Sequence, residues 1–245
     1  MKALILNSGV GKRMGTYTKN MPKCMAEIGK GYSIISWQLR LLHNCGIREV
    51  VITTGPFAET LENYIDSLKI EMDIKFVPNP EYSSTNYIYS IYCAREYLQN
   101  NILLLHGDLV MEPSVIKDFY SVSDSCIAVD SNLPLPEKDF KAQMEDGRVR
   151  AVGIEYFDSE CVTCQPLYFF RKQDMVLWLD EIESFCTSGQ RNVYAEKALN
   201  NITGMIKLLP IELNGRLCHE VDNADDLATI SSRFKKEFEL GRITL

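Results

Sequence analysis

Residues 2–15 read Lys-Ala-Leu-Ile-Leu-Asn-Ser-Gly-Val-Gly-Lys-Arg-Met-Gly. Residues 2–6 are a short apolar run of the kind that fills a buried strand. From Asn7 onward the composition predicts a loop running to about residue 31, with glycines at 9, 11 and 15 and cations at 12 and 13. Glycines directly after a first strand let backbone N–H groups approach a phosphate. Spacing argues against two familiar versions of such a loop. A dinucleotide fingerprint needs a third glycine where Met14 stands, a helix where Pro22 stands, and an acid after Thr53-Thr54-Gly55. A P-loop needs Ser or Thr after Gly11-Lys12, and Arg13 is there instead. What remains is a long loop carrying Lys12, Arg13 and Lys23 at the carboxyl edge of a sheet. Such cations suit a triphosphate whose pyrophosphate departs, because negative charge builds there in the transition state. The competing reading is a solvated surface loop.

Working outward, apolar runs alternate with helical patterns. Strands are predicted at 49–54, 72–77, 101–106 and 125–130, and helices at 34–45, 57–69, 85–99 and 113–122. Gly46 stops the first helix, and Ser84 or Thr85 would cap the third. This alternation argues for a parallel sheet with helices on both faces. After residue 131 the pattern turns more antiparallel. Asp146-Gly147 predicts a hairpin between 139–145 and 148–154. Strands at 165–171, 205–210 and 217–221 and helices at 172–186, 193–203 and 224–238 complete the reading. No repeat or linker interrupts it, so residues 1–245 are expected to form one domain, with 1–130 and 131–245 as its halves.

Of the 245 residues, 46% are apolar and 24% charged, with a net charge of −7. That balance excludes disorder and makes nucleic acid an unfavoured partner. No window is apolar enough for a membrane span, and the N-terminus does not read as a signal peptide, so a cytoplasmic location is expected. The eight cysteines are expected to be reduced thiols serving as small hydrophobes. Cys161 and Cys164 are three apart in an extended stretch, which puts them on opposite faces and argues against a shared metal.

Two carboxylates stand apart from the rest. Asp108 follows the apolar strand Leu103-Leu-Leu-His-Gly, where open α/β sheets bind ligands. Asp222, in Glu220-Val221-Asp222, precedes the last helix and would alternatively cap it. Beside a triphosphate loop, two acids from distant segments suit magnesium, which takes carboxylates together with substrate phosphates. Asn86 and Ser90 are four apart on one helical face and would suit a pyrimidine and a ribose.

Leu6-x-x-Gly9-x-Gly11-x-Arg13-Met14 with Pro22-Lys23 resembles the signature of the nucleotidyltransferases that make sugar nucleotides and CDP-alcohols. Asp108 and Asp222 match that family's two acids, and Asn86-x-x-x-Ser90 is similar to the choline-phosphate and aminoethylphosphonate cytidylyltransferases. The family usually has two alanines where this chain has Asn7-Ser8. The resemblance implies a three-layer α/β/α Rossmann-like nucleotide-diphospho-sugar transferase fold with a mixed, mostly parallel sheet. It implies that Leu6, Asn7, Ser8, Gly9, Gly11, Lys12 and Arg13 wrap CTP, with Asn86 and Ser90 on the nucleoside. Arg13, Lys23, Asp108 and Asp222 would be catalytic, with Mg2+ on the two acids. Lys141 would bind the phosphate or phosphonate of a small acceptor, and Tyr168, Tyr194 and Glu196 would shape its pocket. Other readings remain open: a sugar-1-phosphate nucleotidylyltransferase using UTP or dTTP, or a non-catalytic nucleotide-binding relative. A glycosyltransferase is disfavoured because Asp108-Leu109-Val110 lacks a second acid. A monomer or homodimer is expected.

Overall fold

The computed structural model describes residues 1–243. The apolar start forms β1 (Lys2–Asn7), and two 3-10 turns, Lys12–Thr18 and Lys23–Met25, carry the long loop. A small hairpin, β2 (Glu27–Gly29) and β3 (Tyr32–Ser33), leads into α1 (Ile34–Asn44). Ser33 and Ser36 cap that helix reciprocally, each hydroxyl accepting from the other's main-chain N–H. Next come β4 (Glu49–Thr54), α2 (Ala58–Ser67), β5 (Asp73–Pro78), α3 (Tyr87–Ala94), β6 (Ile102–His106) and β7 (Leu109–Met111). The middle of the chain gives α4 (Pro113–Tyr120), β8 (Ser125–Asp130), β9 (Lys141–Glu145), β10 (Arg148–Gly153) and β11 (Cys161–Phe170). It closes with α5 (Lys172–Thr187), α6 (Glu196–Ile202), β12 (Leu208–Glu212), β13 (Cys218–Glu220) and α7 (Ala224–Glu239).

A nine-stranded sheet runs β10-β9-β11-β6-β1-β4-β5, with β8 bridging β11 and β12. The strands β6, β1, β4 and β5 are parallel, whereas β11 runs antiparallel to β6, β8 and β9. Alternation along β1 sorts the core into two layers. Ala3 and Ile5 pack with α1, α2, α4 and α7, while Leu4 and Leu6 pack with α3, α5 and α6. The expected three-layer, mostly parallel fold is present.

Local differences have simple causes. Helix α3 begins at Tyr87 rather than residue 85, because Asn86 itself is the cap and its side chain accepts from the Tyr87 N–H. Asn223 caps α7, accepting from the Asp225 and Asp226 N–H groups, so Asp222 is not the cap. The strand β7 and the hairpin β2–β3 are too short to carry a period in sequence. All eight cysteines are free, and burial pushes the Cys126 thiol up to about 12.

One buried polar side chain fixes the turn after β6. Gln38 on α1 is fully buried, and its amide donates to the carbonyls of His106 and Leu109, both at 2.8 Å. Those carbonyls flank Gly107-Asp108. Gly107 is required there, since a Cβ would lie 2.7 Å from Asn7 Oδ1. Gln38→Leu keeps the volume but removes both donors. It is expected to cost about 2–6 kcal/mol, roughly 1–3 for each of the two carbonyls left without this donor, seen as a lower urea midpoint at unchanged slope. A loss below about 0.5 kcal/mol, the scatter of neutral surface changes, would show that the carbonyls find other donors.

Candidate active site

The carboxyl ends of β1 and β6 open side by side, and the chain brings the distant acids to that edge through β7 and β13. These pair antiparallel, with Glu220 opposite Leu109, and the Val221 N–H donates to Asp108 O at 3.0 Å. The two acids therefore share a scaffold despite lying far apart in sequence. Lys23 ties them together: its ammonium contacts Asp108 Oδ2 and lies 3.2 Å from Asp222 Oδ1. Arg13 reaches across from the loop to the same Asp222 oxygen at 2.9 Å. Burial alone would lower the Lys23 pKa, but the Asp108 and Asp222 carboxylates outweigh it and hold the amine above its ordinary value.

Two groups not singled out in the sequence join the cluster. His106 Nδ1 lies 3.0 Å from Glu220 Oε1, and each sits two residues before a site acid. Their shared spacing, each two residues before a site acid, is the sequence signal that could have found them. Burial lowers the His106 pKa, yet the hydrogen bond and charge of Glu220 raise it overall. Burial and the nearby Asp108 charge push Glu220 up, against the opposing effect of His106.

The cluster lines a cleft of about 750 Å³ together with Leu6, Asn7, Gly9, Gly11, Lys12, Asn86, Tyr87, Phe140 and Tyr194. A side pocket of about 200 Å³ adjoins it, bounded by Ser8, Asn79, Tyr82, Thr85, Asn86 and Ser90. Asn79, unnoticed in sequence, is buried there and donates to the hydroxyls of Thr85 at 3.1 Å and Ser90 at 3.0 Å. A Cβ on Gly9 would meet nothing within 4 Å, so the protein itself does not require that glycine.

Three acceptor expectations are placed differently. Glu196 is 2% exposed and accepts from the phenols of Tyr87 and, at 2.8 Å, Tyr168. It is neither a solvent-facing charge nor a group lining the cleft, because two hydroxyls already occupy its oxygens. Tyr168 is equally buried behind Tyr87. Burial and the Glu196 charge push both phenols well above their usual pKa. Lys141 is 0% exposed. Its ammonium donates to Pro136 O at 2.9 Å and lies 3.8 Å from the Phe157 ring centroid, turned away from the cleft. Tyr194 does line the cleft, with its ring 5.0 Å from Phe140.

Asp108 and Asp222 offer hard oxygen donors, and Asp108 Oδ1 is buried without a partner. The Lys23 ammonium stands between them as a cation of the protein's own. The residues present therefore fit a divalent cation held with phosphate oxygens.

A glycine loop, paired acids and a cleft at a parallel sheet edge define a protein that handles a nucleoside triphosphate. The chain belongs to the family of MobA-like NTP transferase domains, whose sequence pattern matches residues 3–198, and is thus a nucleotidyltransferase. It is 25% identical to the CTP:phosphoglutamine cytidylyltransferase of Campylobacter jejuni, over 93% of this chain and 98% of that protein. It is 23% identical to the choline-phosphate cytidylyltransferase of Streptococcus pneumoniae, over 97% and 100% of the two chains. A solved structure of the CTP:phosphocholine cytidylyltransferase from Streptococcus pneumoniae superposes with a TM-score of 0.78 at 20% identity, covering 95% of this chain and 98% of that one. Among the described residues no helix is long and apolar enough to cross a membrane.

Replacing Lys23 by Met leaves two carboxylates facing each other. Stability should fall by about 3 kcal/mol, the low end for breaking a buried pair, since each group keeps some water contact. Added divalent cation should then raise the variant's Tm by more than it raises the unmodified protein's. Equal gains in a thermal melt would show that the ammonium does not occupy a cation position.

Proposed function

We propose that this protein is a magnesium-dependent cytidylyltransferase acting in the cytoplasm. It joins CTP to a small phosphorylated or phosphonylated acceptor and releases pyrophosphate, with the whole chain working as one catalytic domain. The observation that carries this is the Lys23 ammonium held between Asp108 and Asp222 at the mouth of the glycine loop. The relatives named above support the choice of CTP and of a small acceptor.

In this reading the side pocket takes cytosine and ribose, with Asn86 and Ser90 on its wall. The triphosphate lies along the backbone from Ser8 to Gly11, and the open space at Gly9 leaves room for it. An acceptor phosphate is already largely ionised at neutral pH, its second pKa being about 6, so no general base is required. Catalysis is then positioning and charge neutralisation. Asp108 and Asp222 would hold magnesium, which would offset negative charge on the phosphates. Lys23 and Arg13 leave their carboxylate partners to meet phosphate oxygens. Arg13, on the outer turn and 72% exposed, takes the pyrophosphate side. Tyr87, Tyr194 and Phe140 wall the acceptor, with Tyr168 and Glu196 bracing Tyr87 from behind. Lys141, next to Phe140 in the chain, would meet the acceptor phosphate only by giving up its bond to Pro136 O.

A matrix of nucleoside triphosphates against choline phosphate, aminoethylphosphonate, phosphorylated amino-acid derivatives and sugar phosphates, scored by pyrophosphate release, tests the reading. Release is expected with CTP and magnesium. Activity confined to UTP or dTTP with a sugar phosphate would replace it. Asp108→Asn should keep the fold by circular dichroism and lower turnover by about 10²-fold or more, the loss typical of one preorganised charge. Near-normal turnover would remove Asp108 from the mechanism.

A further inference from the structure

One ligand atom each from His106, Asp108 and Glu220 lies within 4.8 Å of the other two. We propose that these three side chains form a second divalent-cation site, distinct from the Asp108–Asp222 pair and sharing Asp108 with it. The site lies within the cleft of the proposed reaction.

The three residues arrive from two segments that the β7–β13 ladder locks in register, so the cluster is part of the scaffold rather than a surface coincidence. Lys23 occupies Asp108 Oδ2 and leaves Oδ1 buried and unpartnered. Left unpaired, that oxygen has lost its hydration without a replacement, and a cation beside it would restore a partner. The 3.0 Å between His106 Nδ1 and Glu220 Oε1 also matches a metal shell. Octahedral bonds of about 2.1 Å put neighbouring ligand atoms about 3.0 Å apart. A cation entering there replaces the proton shared by the pair, which leaves to solvent.

The donor set fixes the class of metal. One imidazole nitrogen with two carboxylates favours a first-row transition-metal ion over magnesium, which prefers oxygen alone. Manganese(II) is the suitable probe, because it accepts both donor types and has little affinity for the chain's free thiols.

Mn2+ should be added to magnesium-free, nucleotide-free protein and followed by electron paramagnetic resonance. The pulsed spectrum of the bound ion is expected to show coupling to a histidine nitrogen. His106→Gln should remove that coupling and weaken Mn2+ binding about tenfold or more, while Asp222→Asn should retain it. A bound ion with no nitrogen coupling in the unmodified protein overturns the site without relying on any variant. Unchanged affinity in a folded His106→Gln protein overturns it as well. Neither readout involves turnover, so the result stands apart from whether CTP is the substrate.

Discussion

A single ammonium group organises the candidate site. Lys23 lies between Asp108 and Asp222, carboxylates that follow different strands and would otherwise repel each other in a half-buried cleft. Its position depends on the turn after Pro22, and theirs depends on the β7–β13 ladder. The long loop and the C-terminal end of the sheet are therefore fastened through one charge. Arg13 adds a second tie from a more exposed position. The arrangement holds the acids in place without substrate.

Around that charge, the rigid parts come from buried hydrogen-bonding side chains. Gln38 reaches through the core from α1 to hold the two carbonyls flanking Gly107-Asp108. Asn79 arranges two hydroxyls at the side pocket, and Glu196 braces two tyrosines behind the cleft. Each is a buried polar side chain whose hydrogen bonds are made inside the protein, so each specifies one geometry rather than several. Helices on both faces of the sheet contribute to one opening.

Much of this was legible in the chain. The alternation of apolar runs with helical spacing gave the layers, and the glycine loop with Asp108 and Asp222 gave the centre of the cleft. What the sequence hid depends on tertiary contact. Gln38 reads as one polar residue on an amphipathic helix, and only the fold shows it fully buried. Asn79 sits in a loop among prolines. Glu196 looks like a helix-surface charge, because nothing local announces that Tyr87 and Tyr168, from two other elements, close over it. Lys141 was expected at an acceptor, but its strand position does not reveal that Pro136 and Phe157 meet its amine first.

The pairing of cations with acids inside the cleft bears on how a nucleotide arrives. Four lysine and arginine side chains line the opening together with five carboxylates, on a chain whose net charge is −7. Such a surface sends no attractive field beyond a Debye length toward a polyanion. Capture is therefore short-ranged: a triphosphate gains its attraction only on contact, by exchanging places with the internal counterions. A nucleotide that carries its own divalent cation brings less charge to that encounter, so the metal-bound form is the one the empty cleft admits most readily.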